Sequence, residues 1–317
     1  MAEAVSILII TRERREMLDR LLSDLADQDY LGAVEIVVVE ETDSPRKIPG
    51  VVYVPHPILN KGIAFARNLS VQHASHDLLV FVDDDCRVSP DWLSKLVVPF
   101  EDETVLGAQG GVTVPEDTNA IGWAETLLGF PGGGYSRIIK SDGEIHDTLE
   151  ISTLNAVYRK SVILEVDGFS NAARFGGEDF LLARKVAERG RLVFIPQAEV
   201  RHEARGSMAA IWYWFMRRGK AEFEINQANL APTGYGSWML RSSASIKIFP
   251  FILLCYWSLI PILGLLAGIA LVNWWRFHWV IFHKNIPRSA WFVLPWVKLS
   301  MGVATDVGRF KAWWGHE

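Results

Sequence analysis

Leu78-Leu79-Val80-Phe81-Val82-Asp83-Asp84-Asp85 decides the fold of this 317-residue chain. The first five residues form an unbroken apolar run. Such a run reads as a strand buried on both faces, which a parallel sheet covered by helices requires. It stops at three carboxylates. Adjacent carboxylates repel one another unless a cation or hydrogen-bond donors compensate them. At a strand end residues 83 and 85 point the same way. They therefore make a pair of oxygen ligands suited to Mg²⁺ or Mn²⁺ held together with substrate phosphates. A solvated acidic turn is the plain alternative.

Upstream, short β-rich runs alternate with helical patterns. Val5–Ile10 and Val34–Val39 read as buried strands, and Val51–Val54 as a third. Met17, Leu18, Leu21, Leu22 and Leu25 recur at helical spacing, and Ile63 to His73 is helical. The alternation predicts an α/β fold, with a Rossmann-like mixed but mainly parallel sheet and helices on both faces. Ligands of such sheets bind beyond the carboxyl ends of the strands. Polar clusters stand at three of those ends: Thr11-Arg12, Glu40-Glu41-Thr42-Asp43 and Asp83-Asp84-Asp85.

Three further stretches carry chemistry. Asn60-Lys61-Gly62 opens the helix at Ile63. A glycine there lets a ligand approach the backbone, and the helix N-terminus favours anions. Lys61 and Arg67 can add charge toward a diphosphate, unless they are ordinary surface bases. Gly176-Gly177-Glu178-Asp179 leads into an apolar-periodic helix with Phe180, Leu181 and Val186. Acids in a first helical turn either complement the dipole or supply a general base on a rigid element. His202 follows the strand-like Val193–Val200 and gains a ligand role only where the fold carries it to the Asp triplet. Gly132-Gly133-Gly134 marks a loop.

The net charge of −5 does not suggest a nucleic-acid binder, and it averages two unlike parts. The first 240 residues carry −11, whereas the rest carry +6 and 8 of the 13 tryptophans. Ile248 to Trp275 holds 28 residues without a charge. As one helix that run is about 42 Å long, enough to cross a hydrocarbon core of about 30 Å. A hairpin turning near Pro261 is the alternative. Ala290 to Thr305 reads as a second span or an interfacial helix. Ser207 to Leu230 reads either as a membrane-surface helix or as an amphipathic helix packed on the domain, with Arg217 and Arg218 beside its aromatics. Two distant cysteines, Cys86 and Cys255, make neither a disulfide framework nor a metal-binding spacing, which fits a reducing compartment. The polar start and the short Val5–Ile10 run predict no secretory signal.

The order of these motifs resembles the family 2 glycosyltransferases of the GT-A fold, over about residues 4–206. It runs from Thr11-Arg12 through the acidic strand end, Asn60-Lys61-Gly62-Ile63-Ala64-Phe65-Ala66-Arg67-Asn68, Asp83-Asp84-Asp85 and Gly176-Gly177-Glu178-Asp179 to His202. Asn155-Ala156-Val157-Tyr158-Arg159 and Val166-Asp167-Gly168-Phe169 fit the stretch before the Glu-Asp motif. The resemblance implies inverting transfer of a sugar from a nucleotide-diphospho sugar to a hydroxyl. It implies that Thr11, Arg12, Glu40, Glu41, Asn60, Lys61, Gly62, Arg67, Asp83, Asp84 and Asn155 bind the nucleotide sugar. Asp85, Asp83 and His202 would hold Mn²⁺ or Mg²⁺, and Asp179, with Glu178 beside it, would be the base. The family often has Pro-Thr-Tyr-Asn at the first strand end and an Asp pair at the second. Here they are Ile10-Thr11-Arg12-Glu13 and Glu40-Glu41. The Gln-x-x-Arg-Trp of processive members is absent, so transfer of one or a few sugars is expected.

The expected organisation is a catalytic domain over 1–206, an amphipathic juxtamembrane linker over 207–245, and a membrane region over 246–317 with one or two transmembrane helices. The expected location is the cell membrane, with the catalytic domain facing the cytoplasm and a lipid-linked or cell-envelope glycan as acceptor. A sugar nucleotidyltransferase would be expected to carry a Gly-rich phosphate loop after the first strand, and Ile10-Thr11-Arg12-Glu13-Arg14 has no glycine. A membrane-anchored scaffold that had lost activity is the non-enzymatic alternative, against which stand Asp83, Asp85, Asp179 and His202.

Overall fold

The computed structural model describes residues 3–172, 176–228, 230–231, 233–254 and 259–315. In chain order the elements begin β1 (Val5–Thr11), α1 (Arg15–Ala26), β2 (Val34–Glu41), β3 (Val52–His56), α2 (Ile63–His73) and β4 (Leu78–Val82). They continue with β5 (Cys86–Val88), α3 (Trp92–Val97), β6 (Val105–Thr113), α4 (Ala120–Leu127), α5 (Gly134–Lys140), β7 (His146–Asp147), β8 (Asn155–Arg159) and α6 (Lys160–Glu165). The last are α7 (Glu178–Ala187), β9 (Arg191–His202), α8 (Met208–Gln227), α9 (Tyr235–Ser242), α10 (Ala244–Leu254), α11 (Ile260–Arg276) and α12 (Arg288–Trp314).

The chain forms two compact units, and they do not follow a single cut near residue 206. The first lies within Met1–Pro115, Pro131–Arg174 and Glu178–Glu203 and contains the sheet. Its strand order is β3-β2-β1-β4-β8-β6-β9-β5, with β7 on β9. The β3-β2-β1-β4 half is parallel, as is the β6–β9 pair, while β8 runs antiparallel between β4 and β6. The mixed α/β sheet therefore forms as its strand patterns require. Two apolar layers flank it. Ile7, Ile9, Val80 and Val82 face one with Leu18, Leu21, Trp92 and Phe100, and Leu8, Leu79 and Phe81 face the other with Tyr158 and Phe169. The chain runs outward from β1 through β2 to β3 and then returns to place β4 on the other side of β1. That reversal opens a crevice at the carboxyl ends of β1 and β4, where open α/β sheets bind ligands.

The second unit lies within Glu116–Phe130, Phe175–Gly177 and Ala204–Glu317 and is helical. No described helix is long and apolar enough to cross a membrane, and residues 255–258 of the expected first span lie outside the described residues. The uncharged run is divided between α10, of 11 residues, and α11, of 17 residues. At 1.5 Å per residue these are about 16 and 26 Å long, short of the roughly 30 Å core. Pro261 lies in the first turn of α11, where proline costs no helical hydrogen bond. Cys255 lies outside the described residues.

The second expected span, Ala290 to Thr305, is the middle of the 27-residue α12. This helix crosses α8 backbone to backbone. A Cβ on Gly219 would strike the Thr305 carbonyl, and one on Gly308 would strike the Met216 carbonyl. Arg309 of α12 donates to Glu222 of α8 at 2.6 and 3.0 Å. The α8 residues Ile211, Phe215 and Ile225 are buried, so one face of this helix is packed.

Candidate functional site

Because β1 and β4 are parallel neighbours, their ends meet. The Thr11 hydroxyl donates to Asp84 Oδ2 at 2.6 Å. Arg14, one residue before α1, spans Asp84 at 3.1 Å and Asp85 at 2.9 Å. The middle carboxylate is thus turned in and tied down, at 4 % exposure. Burial pushes its carboxyl up, with the Thr11 hydroxyl and Arg14 opposing the rise. Asp83 and Asp85 are only half-buried. Burial raises the Asp83 carboxyl to about 7, with Arg67 opposing and Asp85, Asp84 and Asp179 adding repulsion.

His202 reaches this group through strand pairing. The end of β9 runs antiparallel to β5, with His202 opposite Cys86, and the Glu203 N–H donates to the Asp85 carbonyl at 3.1 Å. His202 Nε2 then stands 3.3 Å from Asp85 Oδ1. Ligand atoms of Asp83, Asp85 and His202 all lie within 4.8 Å of one another. Two carboxylates and an imidazole are the donors that Mn²⁺ and similar ions accept. That donor set, with its ligand atoms this close together, fits a divalent cation.

The first turn of α7 lies close by in the same unit. Glu178 is buried and ion-paired to Arg67 Nη1, while Arg67 Nη2 is 3.7 Å from Asp83. Burial pushes the Glu178 carboxyl up, and Arg67 opposes that. Asp179 is half-buried, accepts the Phe180 N–H at 2.8 Å, and is near enough to add repulsion at Asp83 and Tyr158.

The end of β2 serves a neighbouring surface. Glu41 accepts the Leu59 and Asn60 N–H groups at 3.2 and 2.9 Å and faces Arg12 at 3.3 Å. Arg12 also donates to Asn60 Oδ1 at 2.9 Å. Asn60 and Gly62, with φ of 50° and 90°, make the turn that brings this loop back over β2. Glu40 is completely buried, accepts the Tyr53 hydroxyl and lies 3.8 Å from Arg15.

The structure therefore brings together Thr11, Asp83, Asp84, Asp85, Glu178, Asp179 and His202, and beside them Arg12, Glu40, Glu41, Asn60 and Gly62. Two predicted binders are placed differently. Asn155 is completely buried, and its carboxamide is used by Trp92 Nε1 and the Gly111 and Ala198 carbonyls. Arg67 is 4 % exposed and committed to carboxylates rather than open to a diphosphate. Lys61 sits over the Phe65 ring at 4.4 Å. Arg14 is the residue that the sequence reading missed. Its signal was position, a base just past the first strand end and one residue before α1.

Comparisons with known proteins agree with this geometry. The family model described as Glycosyl transferase family 2 matches residues 6–166. The glucosyl-dolichyl phosphate glucuronosyltransferase of Haloferax volcanii is 24% identical over 214 residues, covering 63% of this chain and 60% of that protein. The pre-mycofactocin glycosyltransferase of Mycobacterium tuberculosis is 32% identical over 162 residues, covering 49% of this chain and 32% of that protein. The chain thus spans between a third and three fifths of the length of these relatives. Among solved structures, the mannosyltransferase PcManGT from Pyrobaculum calidifontis in complex with GDP-Man and Mn²⁺ superposes with a TM-score of 0.58 at 18% identity, over 100% of this chain and 89% of that one. GalNAc-T7 with UDP, GalNAc and Mn²⁺ superposes at 0.50 and 18% identity, over 73% of this chain and 52% of that one.

Proposed function

Because the chain belongs to glycosyl transferase family 2 and is thereby a glycosyltransferase, we propose that it moves a sugar from a nucleotide-diphospho sugar to a hydroxyl, with inversion and one or a few sugars at a time. One observation carries the reading: Asp83, Asp85 and His202 converge at the β1–β4 crevice with Asp179 close by on a rigid helix start.

The acceptor oxygen attacks the anomeric carbon as the bond from that carbon to the diphosphate oxygen breaks. Asp179 receives the acceptor's proton, a role that contributes roughly 10²–10⁴-fold. Asp83, Asp85 and His202 would hold a divalent cation, Mn²⁺ in preference to Mg²⁺ given the imidazole donor. When bound it supplies charge neutralisation for the leaving diphosphate. Arg14, half exposed beside Asp85, offers the diphosphate a second positive charge. Arg12, Glu41 and Asn60 form the nucleoside side of the crevice, with Glu40 buried behind them, and Thr11 keeps Asp84 in place for it.

A lipid-linked glycan is the acceptor we favour. The glucosyl-dolichyl phosphate in the Haloferax relative's name supports this. The same reading puts the reaction on the cytoplasmic side, where nucleotide sugars are made.

A thermal-shift panel of nucleotide sugars with Mn²⁺ identifies the donor, since a bound ligand stabilises the fold by mass action. Metal-dependent hydrolysis of that donor is expected and is abolished in Asp85→Ala; unchanged turnover there refutes the metal assignment. Asp179→Asn is expected to bind donor normally without transferring. Transfer at the wild-type rate refutes the base.

A further inference from the structure

We infer that Arg67 and Asn68, consecutive on α2, form a two-pronged staple that positions the first turn of α7, and with it Asp179, beside Asp83. The inference rests on the reading of Asp179 as the base.

One prong is the Asn68 carboxamide. Its Nδ2 donates to the Phe169 carbonyl at 2.8 Å and its Oδ1 accepts the Phe169 N–H at 2.8 Å. Both main-chain groups of one residue are thereby pinned to the helix. Gly168 is part of this fit. Its φ is +66°, and a Cβ there would come within 2.5 Å of Asn68 Oδ1. Phe169 itself is locked in the core, edge-on to Phe81 with ring centroids 5.5 Å apart. The other prong is the Arg67 guanidinium, which holds Glu178 at the start of α7 and reaches Asp83 at the end of β4. Adjacent residues of one helix therefore grip the chain at 169 and again at 178, on either side of the segment that leads into α7.

Arg67 is inside because of its spacing. Ala64, Arg67 and Val71 fall on one face of α2, and that face is buried. At 4 % exposure its charge serves the protein rather than a ligand. Stability is a poor reason for such a pair. Replacing a buried ion pair by apolar residues of similar volume is often neutral or stabilising. The planar fork of arginine does something an apolar pair cannot: it fixes the separation of two carboxylates carried by different elements. Transfer chemistry is sensitive to that separation, since a misplacement of about 1 Å costs on the order of 10²-fold. Arg67 and Asn68 are positioning residues, because they act through α7 and touch no reacting atom.

Four variants test this: Arg67→Met, Arg67→Lys, the apolar pair Arg67→Met with Glu178→Met, and Asp179→Asn. Readouts are Tm, binding of UDP and GDP with Mn²⁺ by calorimetry, and kcat and KM. Arg67→Met is expected to lower both Tm and kcat, the latter by roughly 10²-fold, with KM for the donor within about threefold. The double variant is expected to regain Tm while kcat stays low. Arg67→Lys, which keeps the charge but not the fork, is expected to leave kcat low. A double variant that regains kcat with Tm overturns the inference, as does one as unstable as Arg67→Met, or wild-type kcat in Arg67→Lys. If Asp179→Asn transfers at the wild-type rate, the base reading itself fails. If Asp179→Asn is inactive while the double variant turns over normally, only the staple fails.

Discussion

The proton on Asp83 should compete with the metal. Its carboxyl is raised from 3.8 to about 7, chiefly by burial. A metal-bound carboxylate must be deprotonated. Apparent affinity is therefore divided by one plus the proton-to-acid ratio at Asp83. That factor is about 1.1 at pH 8, about 2 at pH 7 and about 11 at pH 6. The sign for stability follows the same group. With the folded value above the unfolded one, the metal-free protein loses stability as pH rises from about 4 through about 7, and a bound cation reverses the loss. Calorimetric titration with Mn²⁺ at pH 6, 7 and 8, in two buffers of different ionisation heat, reads affinity and released protons together. Asp83→Asn should bind Mn²⁺ more weakly and lose the part of the dependence that Asp83 sets, leaving the part set by the His202 imidazole. Affinity equal at pH 6 and pH 8, with no proton released, refutes the reasoning, because Asp83 is then already ionised.

Three further outcomes are expected. Asn155→Leu orphans Trp92 Nε1 and the Gly111 and Ala198 carbonyls. At 1–3 kcal/mol per buried orphan it should cost about 3 kcal/mol or more, read as a lowered urea midpoint, while UDP or GDP affinity holds; a selective loss of nucleotide affinity would return Asn155 to the binding surface. Gly308→Val drives a side chain into the Met216 carbonyl and should cost about 3 kcal/mol, or roughly 6–12 °C in Tm. Arg14→Met should weaken nucleoside diphosphate binding roughly tenfold, the worth of one hydrogen bond to a charged group, without weakening Mn²⁺; equal diphosphate affinity in the variant would remove Arg14 from the site.

The parts of this fold written in the sequence are those set by local pattern. Leu78–Val82 and Ile63–His73 form with the bounds their periodicity predicts. The crevice at Thr11 and Asp83–Asp85 then follows from parallel strands and a reversal of strand order. The antiparallel insertion of β8 was not legible in this way. Asn155–Arg159 is a five-residue strand whose partners, β4 and β6, are chosen by the sheet rather than by its own pattern. The uncharged run 248–275 shows the reach of hydropathy, which measures composition over a window. It takes no account of whether one helix spans that window, and the described part of this run is shared by α10 and α11.

The site divides along the same line. Residue types at strand ends named Asp83, Asp85 and His202 as candidates, yet their meeting depends on β5 pairing with β9 across more than a hundred residues. No local signal carries that register. Arg67 is the opposite case, because the signal was present and pointed elsewhere. A base in a phosphate-binding stretch invites assignment to the diphosphate, but the 64–67–71 spacing already put it on the buried stripe of α2. A charge on a buried stripe needs a buried partner, and the carboxylate beside the candidate base is where it found one. Periodicity therefore constrains charged residues as firmly as apolar ones. Applied to this chain, it separates Arg14, which remains open to a ligand, from Arg67, which shapes the site from within.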